Sequence, residues 1–165
     1  MAIEVPTEVL DAYGWSDLDC APLGTGLIND TFVVEGQGQP VAVLQRLHPV
    51  FAGAVNIDLD AVTTHLAQKG LVTPRLLRTR DGKRWVETND RPWRAITFVH
   101  GRCVDRVSAP AQAESAGELV GRVHRALGDF DYEYVHVRSG VHETARHLAK
   151  LEALRSDTGD DEANR

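Results

Sequence analysis

Leu23-Gly24-Thr25-Gly26-Leu27-Ile28-Asn29-Asp30-Thr31-Phe32-Val33-Val34-Glu35 places a glycine-bearing loop directly in front of a strand-like run. That order limits what the glycines can be. A dinucleotide-binding loop needs a strand, a third glycine and then a helix, but Asn29 stands where the third glycine would be. A Walker-type loop ends in Gly-Lys-Ser/Thr, and no lysine comes after these glycines. The chain continues instead with a strand, the turn Gly36-Gln37-Gly38-Gln39, and a second strand-like run from Val41 to Leu47. Two strands joined by a short glycine turn predict a β-hairpin. Two readings of the loop stay open on these residues: an ordinary glycine turn, or a hairpin tip that folds over nucleotide phosphates. In the second, glycine at 24 and 26 lets the backbone approach an anion without a Cβ clash. Freed N–H groups can then point at its oxygens. Asn29 and Thr31 either add side-chain hydrogen bonds or hold the loop.

Ahead of the loop, residues 6–15 predict a short helix, with Pro6 and Thr7 at its start and Val9, Leu10 and Tyr13 as a weak apolar stripe. Beyond the hairpin, Leu59, Val62 and Leu66 fall at helical spacing, and Gly70 suits a stop, which predicts a helix from Asp58 to Lys69. Arg75–Thr79 and Lys83–Glu87 flank the turn signal Asp81-Gly82 and predict a second hairpin. Trp93–Val99 predicts a further strand, ended by His100-Gly101. From Ser108 the pattern changes. Ala113, Ala116, Val120, Val123 and Leu127 recur at three and four residues, so a helix runs from Ser108 towards Gly128. Gly117 and Gly121 within it suggest close packing. A second helix is predicted over His142–Leu154, with Leu148, Leu151 and Leu154 as core candidates. Residues 155–165 are polar and acidic and are expected to fray.

With 165 residues, 42% of them hydrophobic, the chain can bury one real core. A net charge of −6, with basic residues interleaved among acids, argues against a nucleic-acid partner. No apolar run reaches the roughly 18 residues a membrane span needs. The first residues lack a basic and an apolar signal region. Cys20 and Cys103 are far apart and form no disulfide framework, so a cytoplasmic setting is expected and both read as packing residues. His142 and His147 are not spaced to share a helix face. His124 reads as a packing residue, and no metal–histidine cluster is expected.

The run Leu23–Phe32 resembles the first hairpin of the aminoglycoside-phosphotransferase family, which typically carries an asparagine in place of the third glycine of the kinase loop. Val43-Leu44-Gln45-Arg46-Leu47-His48-Pro49-Val50-Phe51 resembles the third strand of that family's N-acetylhexosamine kinase-like branch. Val62-Thr63-Thr64-His65-Leu66, Thr73-Pro74-Arg75-Leu76-Leu77, Trp93-Arg94 with Phe98-Val99-His100-Gly101, and Val141-His142-Glu143-Thr144 fit the same branch in order and spacing. The resemblance implies an α+β fold: a protein kinase-like N-lobe, a twisted antiparallel sheet of about five strands with one helix, over residues 17–101. An N-terminal helix would occupy 1–16, the first helices of a truncated helical C-lobe 102–154, and a disordered tail 155–165.

The same resemblance implies ATP as a ligand. Gly24, Thr25, Gly26, Leu27, Ile28, Asn29 and Thr31 would lie over it, and Ile28, Phe32, Val34 and Val43 would either wall the adenine or be plain core. Thr97, Phe98, Val99 and His100 would form the hinge whose backbone groups meet the adenine edge. The third strand of the family supplies a basic side chain to the phosphates. Position favours Gln45 and charge favours Arg46, and the two point to opposite faces. The kinase helix glutamate that pairs with this group is absent, which leaves Asp58 or Asp60 as stand-ins. The family's His-Gly-Asp catalytic run is also absent, so no catalytic residue is assigned, and Mg²⁺ ligands are expected in the missing part of the C-lobe. The implied function is the ATP-binding part of a small-molecule kinase acting on a hydroxyl of a hexosamine-like sugar or an aminoglycoside. The chain alone is expected to be inactive. The alternative is a non-catalytic, pseudokinase-like nucleotide-binding module. The two late helices are expected to expose apolar faces through which the chain could associate.

Overall fold

The computed structural model describes residues 4–24, 28–88, 91–102, 104, 106–137, 140–141 and 143–157. Helix α1, Thr7–Tyr13, comes after Pro6, whose extended backbone (φ −61°, ψ 138°) leads the chain in. Gly14 ends it in the left-handed region at φ 78°. The Gly14 N–H donates to Asp11 O at 3.0 Å and the Trp15 N–H to Leu10 O at 2.9 Å, a glycine-closed helix end.

The sheet has six strands, all pairings antiparallel: β1 (Asp19–Pro22), β2 (Asp30–Gly36), β3 (Gln39–Arg46), β4 (Leu76–Leu77), β5 (Val86–Glu87) and β6 (Pro92–Thr97). Its order is β1-β2-β3-β6-β4, and β5 also pairs with β6. The β2–β3 hairpin closes through Gln37 (φ 53°) and Gly38 (φ 72°). Two positive φ angles in a two-residue loop match the twist of antiparallel strands.

Alternation along the strands gives the sheet two different faces. One carries Phe32, Val34, Ala42, Leu44, Trp93 and Ala95, which pack with Val9 and Tyr13 of α1 into the main core. The Phe32 and Trp93 rings lie 5.8 Å apart. The Tyr13 hydroxyl accepts a hydrogen bond from the Ala95 N–H at 3.2 Å, and burial pushes its pKa up to about 12. The other face carries Thr31, Val33, Val43, Gln45, Arg94 and Ile96 and turns toward α2 (Val55–Gln68). Lys69 and Gly70 (φ 76°) end α2, with Gly70 N–H to Ala67 O at 2.9 Å and Leu71 N–H to Leu66 O at 3.0 Å.

Helix α3, Pro110–Leu127, meets α2 at its C-terminal end, where Leu66, Leu71 and Ala126 are buried among Val62, Val123 and Leu127. Helix α4, Thr144–Asp157, is the last element.

Several expectations need correction. The antiparallel sheet of about five strands is there with a sixth, the unforeseen β1; its four residues are mostly exposed and end in Pro22, so they carry no alternating signal. The hairpin expected across Asp81-Gly82 is not a pair of mutually bonded strands. The turn is there, with Gly82 at φ 80° and Thr79 N–H bonded to Lys83 O at 3.0 Å. However, β4 pairs with Ile96 and Ala95 while β5 pairs with Trp93 and Pro92. The long-range edge of β6 offers both arms a ladder, and they share it end to end. Helix α2 begins at Val55 rather than Asp58; its N-cap, Ala54, makes no side-chain bond, so the usual start signal is missing. Leu148, Leu151 and Leu154 are not core but 53%, 63% and 54% exposed. His124 is exposed rather than packed, and a Cβ at Gly117 or Gly121 would meet nothing within 4 Å, so neither glycine permits a close contact. The tail expected to fray lies outside the described residues from 158 onward.

Candidate nucleotide site

Strand register places two cross-strand rows side by side on the α2-facing side of the sheet. The first is apolar: Val33 pairs with Val43, and Val43 with Ile96. The second is polar: Thr31 pairs with Gln45, and Gln45 with Arg94. Gln45 Nε2 donates to Thr31 Oγ1 at 3.3 Å, and Arg94 Nε donates to Gln45 Oε1 at 2.9 Å. Arg94 Nη1 reaches across to Asn56 Oδ1 of α2 at 3.3 Å. The opposite face of the sheet is filled by the α1 core. Phe32 and Val34 belong to that filled face, whereas Val43 lies in the row on the α2 side.

The loop between β1 and β2 is described at Leu23, Gly24, Ile28 and Asn29. Gly24 has φ 71°, and a Cβ there would meet nothing within 4 Å, so glycine is needed for the backbone turn and not for space. Thr25, Gly26 and Leu27 lie outside the described residues. Ile28 is 57% exposed. Asn29 Oδ1 accepts from the His48 N–H at 2.9 Å, so its oxygen ties the loop to the end of β3.

Gln45 and Arg46 resolve by face. Arg46 points to the α1 side, where Nε donates to Asp30 Oδ2 at 2.9 Å and its guanidinium carbon lies 6.0 Å from the Trp93 ring centroid. Arg91 also approaches Asp30, at 3.5 Å. Gln45 alone of the pair lies on the α2 side.

The stand-in carboxylates of α2 pair with neither residue. Asp58 is buried, and its oxygens accept from Tyr132 Oη, Val135 N–H and His136 N–H, each at 2.8 Å. Burial raises the Asp58 pKa, but the hydrogen bonds outweigh it, with the backbone donors first and then Tyr132, and hold the carboxyl below its ordinary value. Asp60 accepts from Arg78 at 2.5 Å and Arg84 at 3.1 Å. The expected ion pair to β3 is replaced by a tie from Asp58 to the segment after α3 and by a surface pairing of Asp60. Aspartate is one methylene shorter than glutamate, and each of these side chains meets donors nearer than β3.

At the far end of β6, Thr97 is occupied structurally: its N–H donates to Arg75 O at 2.8 Å and its Oγ1 accepts from the Arg75 N–H at 2.9 Å. Phe98 and His100 pack edge to face at 5.0 Å, and Val99 is 43% exposed. Among the described residues no group of three or more His, Cys, Asp or Glu is arranged to hold a metal ion. Sequence reasoning does not assign Asn56 or Arg94 to the site. The alternation that puts Val43 and Gln45 on one face also puts Arg94 there, but only the β3–β6 register shows that Arg94 stands beside Gln45. A separate cleft of about 780 Å³, between the end of α1 and residues 79–87, lies away from these rows.

The family model described as "Phosphotransferase enzyme family" matches residues 19–164. The homoserine kinase of Methylobacillus glycogenes is 28% identical over 122 residues, which are 73% of this chain and 37% of that protein. The homoserine kinase of Zymomonas mobilis is 36% identical over 70 residues, 42% of this chain and 22% of that protein. Among solved structures, the amicoumacin kinase hAmiN, in complex with AMP-PNP, Ca²⁺ and Ami, aligns over 84% of this chain and 46% of its own, with TM-score 0.61 and 14% identity. An aminoglycoside phosphotransferase from Alicyclobacillus acidocaldarius aligns over 99% of this chain and 47% of its own, with TM-score 0.59 and 14% identity. These likenesses establish the α+β kinase-like fold. The chain spans less than half the length of each of these proteins.

Proposed function

Because the chain belongs to the phosphotransferase enzyme family, we propose that it is the ATP-binding part of a small-molecule kinase that transfers the γ-phosphate to an acceptor hydroxyl. The observation that carries this reading is the pair of adjacent rows on the sheet face that turns toward α2. Val33, Val43 and Ile96 offer a base an apolar wall, and Thr31, Gln45 and Arg94 offer the phosphates hydrogen bonds and one positive charge. The loop from Gly24 to Asn29 covers the phosphates, and the backbone from Thr97 to His100 meets the adenine edge. ATP as donor fits a cytoplasmic setting.

The chain carries no His-Gly-Asp run, so it binds nucleotide without transferring phosphate by itself. For the acceptor, a hexosamine-like sugar or an aminoglycoside is suggested by the family resemblance, and homoserine by the names of the curated relatives. The hexosamine reading leans on Leu44-Gln45-Arg46 and Trp93-Arg94, of which Leu44 and Trp93 build the sheet core and Gln45 and Arg94 the polar row. The three acceptor classes are distinguished by assaying them side by side.

Calorimetric titration of the chain with Mg·ATP should give saturable binding at one site. No heat and no competition by adenosine would remove the nucleotide reading. A coupled ADP-release assay with homoserine, N-acetylhexosamines and aminoglycosides should give no turnover with this chain. Turnover with any of them would overturn the inactivity and name the acceptor at once.

A further inference from the structure

A nucleotide triphosphate brings several negative charges, and the β3 position that faces it here is a neutral amide, Gln45. The neighbouring cation, Arg46, is turned to the other face and bonded to Asp30. Arg94 lies directly across from Gln45 on β6, on the side where the base and phosphates would sit. Among the described residues its bonds go to the amide oxygens of Gln45 and Asn56, and its charge meets no carboxylate there. By contrast, Arg78 and Arg84 bond to Asp60, Lys69 to Asp129 and Lys83 to Asp81. A half-buried guanidinium without a counterion is costly, and burial lowers its pKa accordingly. That cost falls when an anion arrives. The two bonds use only part of a fork of five N–H donors and leave Nη2 without an acceptor among the described residues.

We propose that Arg94 is the phosphate-binding cation of this nucleotide site, aimed by the amide oxygens of Gln45 and Asn56. This rests on the ATP reading above. The charge that the family places on the third strand has moved one strand over, to β6. A carboxylate on α2 would neutralise a guanidinium that already has two orienting partners. Asn56 orients it through a neutral oxygen and leaves the charge for the ligand. Asn56 is itself fully buried and anchored, with Nδ2 donating to Gly53 O at 2.9 Å, so the acceptor it presents to Arg94 is fixed in place.

The test compares Mg·ATP with adenosine as calorimetric ligands for the full chain. Arg94→Gln should weaken Mg·ATP by roughly 10- to 100-fold, the range for a lost charged hydrogen bond, and leave adenosine unchanged. Gln45→Glu keeps the shape of the row but gives Arg94 a counterion, and should also weaken Mg·ATP selectively. Gln45→Lys combined with Arg94→Gln returns a charge to β3 and should recover much of the loss. Arg75→Gln is the control: Arg75 is also half-buried and bonds through Nη2 to a neutral group, Thr64 Oγ1 at 2.9 Å, but it stands beside Thr97 outside the row. It should leave the ATP-to-adenosine ratio unchanged. Equal loss of both ligands in Arg94→Gln, or unchanged Mg·ATP affinity in a folded variant, would overturn the proposal and leave the ATP reading standing. If the unmodified chain binds neither ligand, the ATP reading falls and this inference falls with it.

Discussion

The sheet half and the helical half of this molecule treat apolar side chains in opposite ways. Val9, Val34, Ala42 and Leu44 are 0% exposed between α1 and the sheet. Leu119, Val120, Leu148, Leu151 and Leu154 are each more than half exposed on α3 and α4. Burying a leucine side chain stabilises by about 1.5–3 kcal/mol, so the first half draws on its own core while the second half leaves that energy unused. The two halves join at few points. Among the described residues these are the Leu66–Leu71–Ala126 contact, the His65 Nε2···Ala126 O bond at 2.7 Å, the pairing of Lys69 and His65 with Asp129, the His65–Phe130 ring contact at 4.8 Å, and Asp58 reaching the segment from Tyr132 to His136. Stability should therefore be concentrated in the sheet half, with the helical half held on by local ties.

The largest effect should come from Trp93→Ala, which removes a 1% exposed ring packed on Phe32. It should cost about 3–5 kcal/mol in denaturant unfolding followed by tryptophan fluorescence and far-UV circular dichroism. A loss below about 1 kcal/mol would break the contrast between the halves.

Asp58→Asn should cost about 2 kcal/mol and loosen the segment from 132 to 136 selectively, seen as faster amide exchange at Val135 and His136. The same residue sets an acid limb. Because its folded pKa lies below its unfolded value, its stabilisation is present above about pH 4. It is lost as pH falls further, through the lowered folded value. A melting series in acid should show a shallower decline for Asp58→Asn than for the parent chain. Identical slopes would separate Asp58 from the joint between the halves.

Gly70→Ala forces a side chain into the left-handed region at φ 76°, with no neighbour within 4 Å to add a clash. It should cost about 1 kcal/mol, read as a small shift of the unfolding midpoint. Leu151→Ser, on the exposed face of α4, should change stability by less than about 0.5 kcal/mol. A larger loss would mean that the helical half carries a core after all.

Legibility in the sequence depends on the range of the interactions. The β2–β3 hairpin is readable because Gly36-Gln37-Gly38 and the flanking alternation are local signals. Helix α3 is readable from its period, and the end of α2 from Gly70, whereas α1 stops at Tyr13, short of the expected residue 15. Strand β1 is not readable, because a four-residue exposed strand ending in proline exists only through its pairing with β2. The choice between Gln45 and Arg46 stays open in the sequence for the same reason. Alternation says that they face opposite ways, but only the packing of α1 on Phe32, Leu44 and Trp93 says which face is full.

The sequence by itself determined the glycine loop, the hairpin after it, the family resemblance and the lack of a His-Gly-Asp run, since each is written in contiguous residues. The tertiary structure alone decided that Arg46 belongs to Asp30, that Asp58 belongs to the segment after α3, and that Arg94 stands beside Gln45 and Asn56. Those partners are brought together by strand register and helix placement across as many as 78 positions of sequence. Local propensity carries no record of contacts made over that distance.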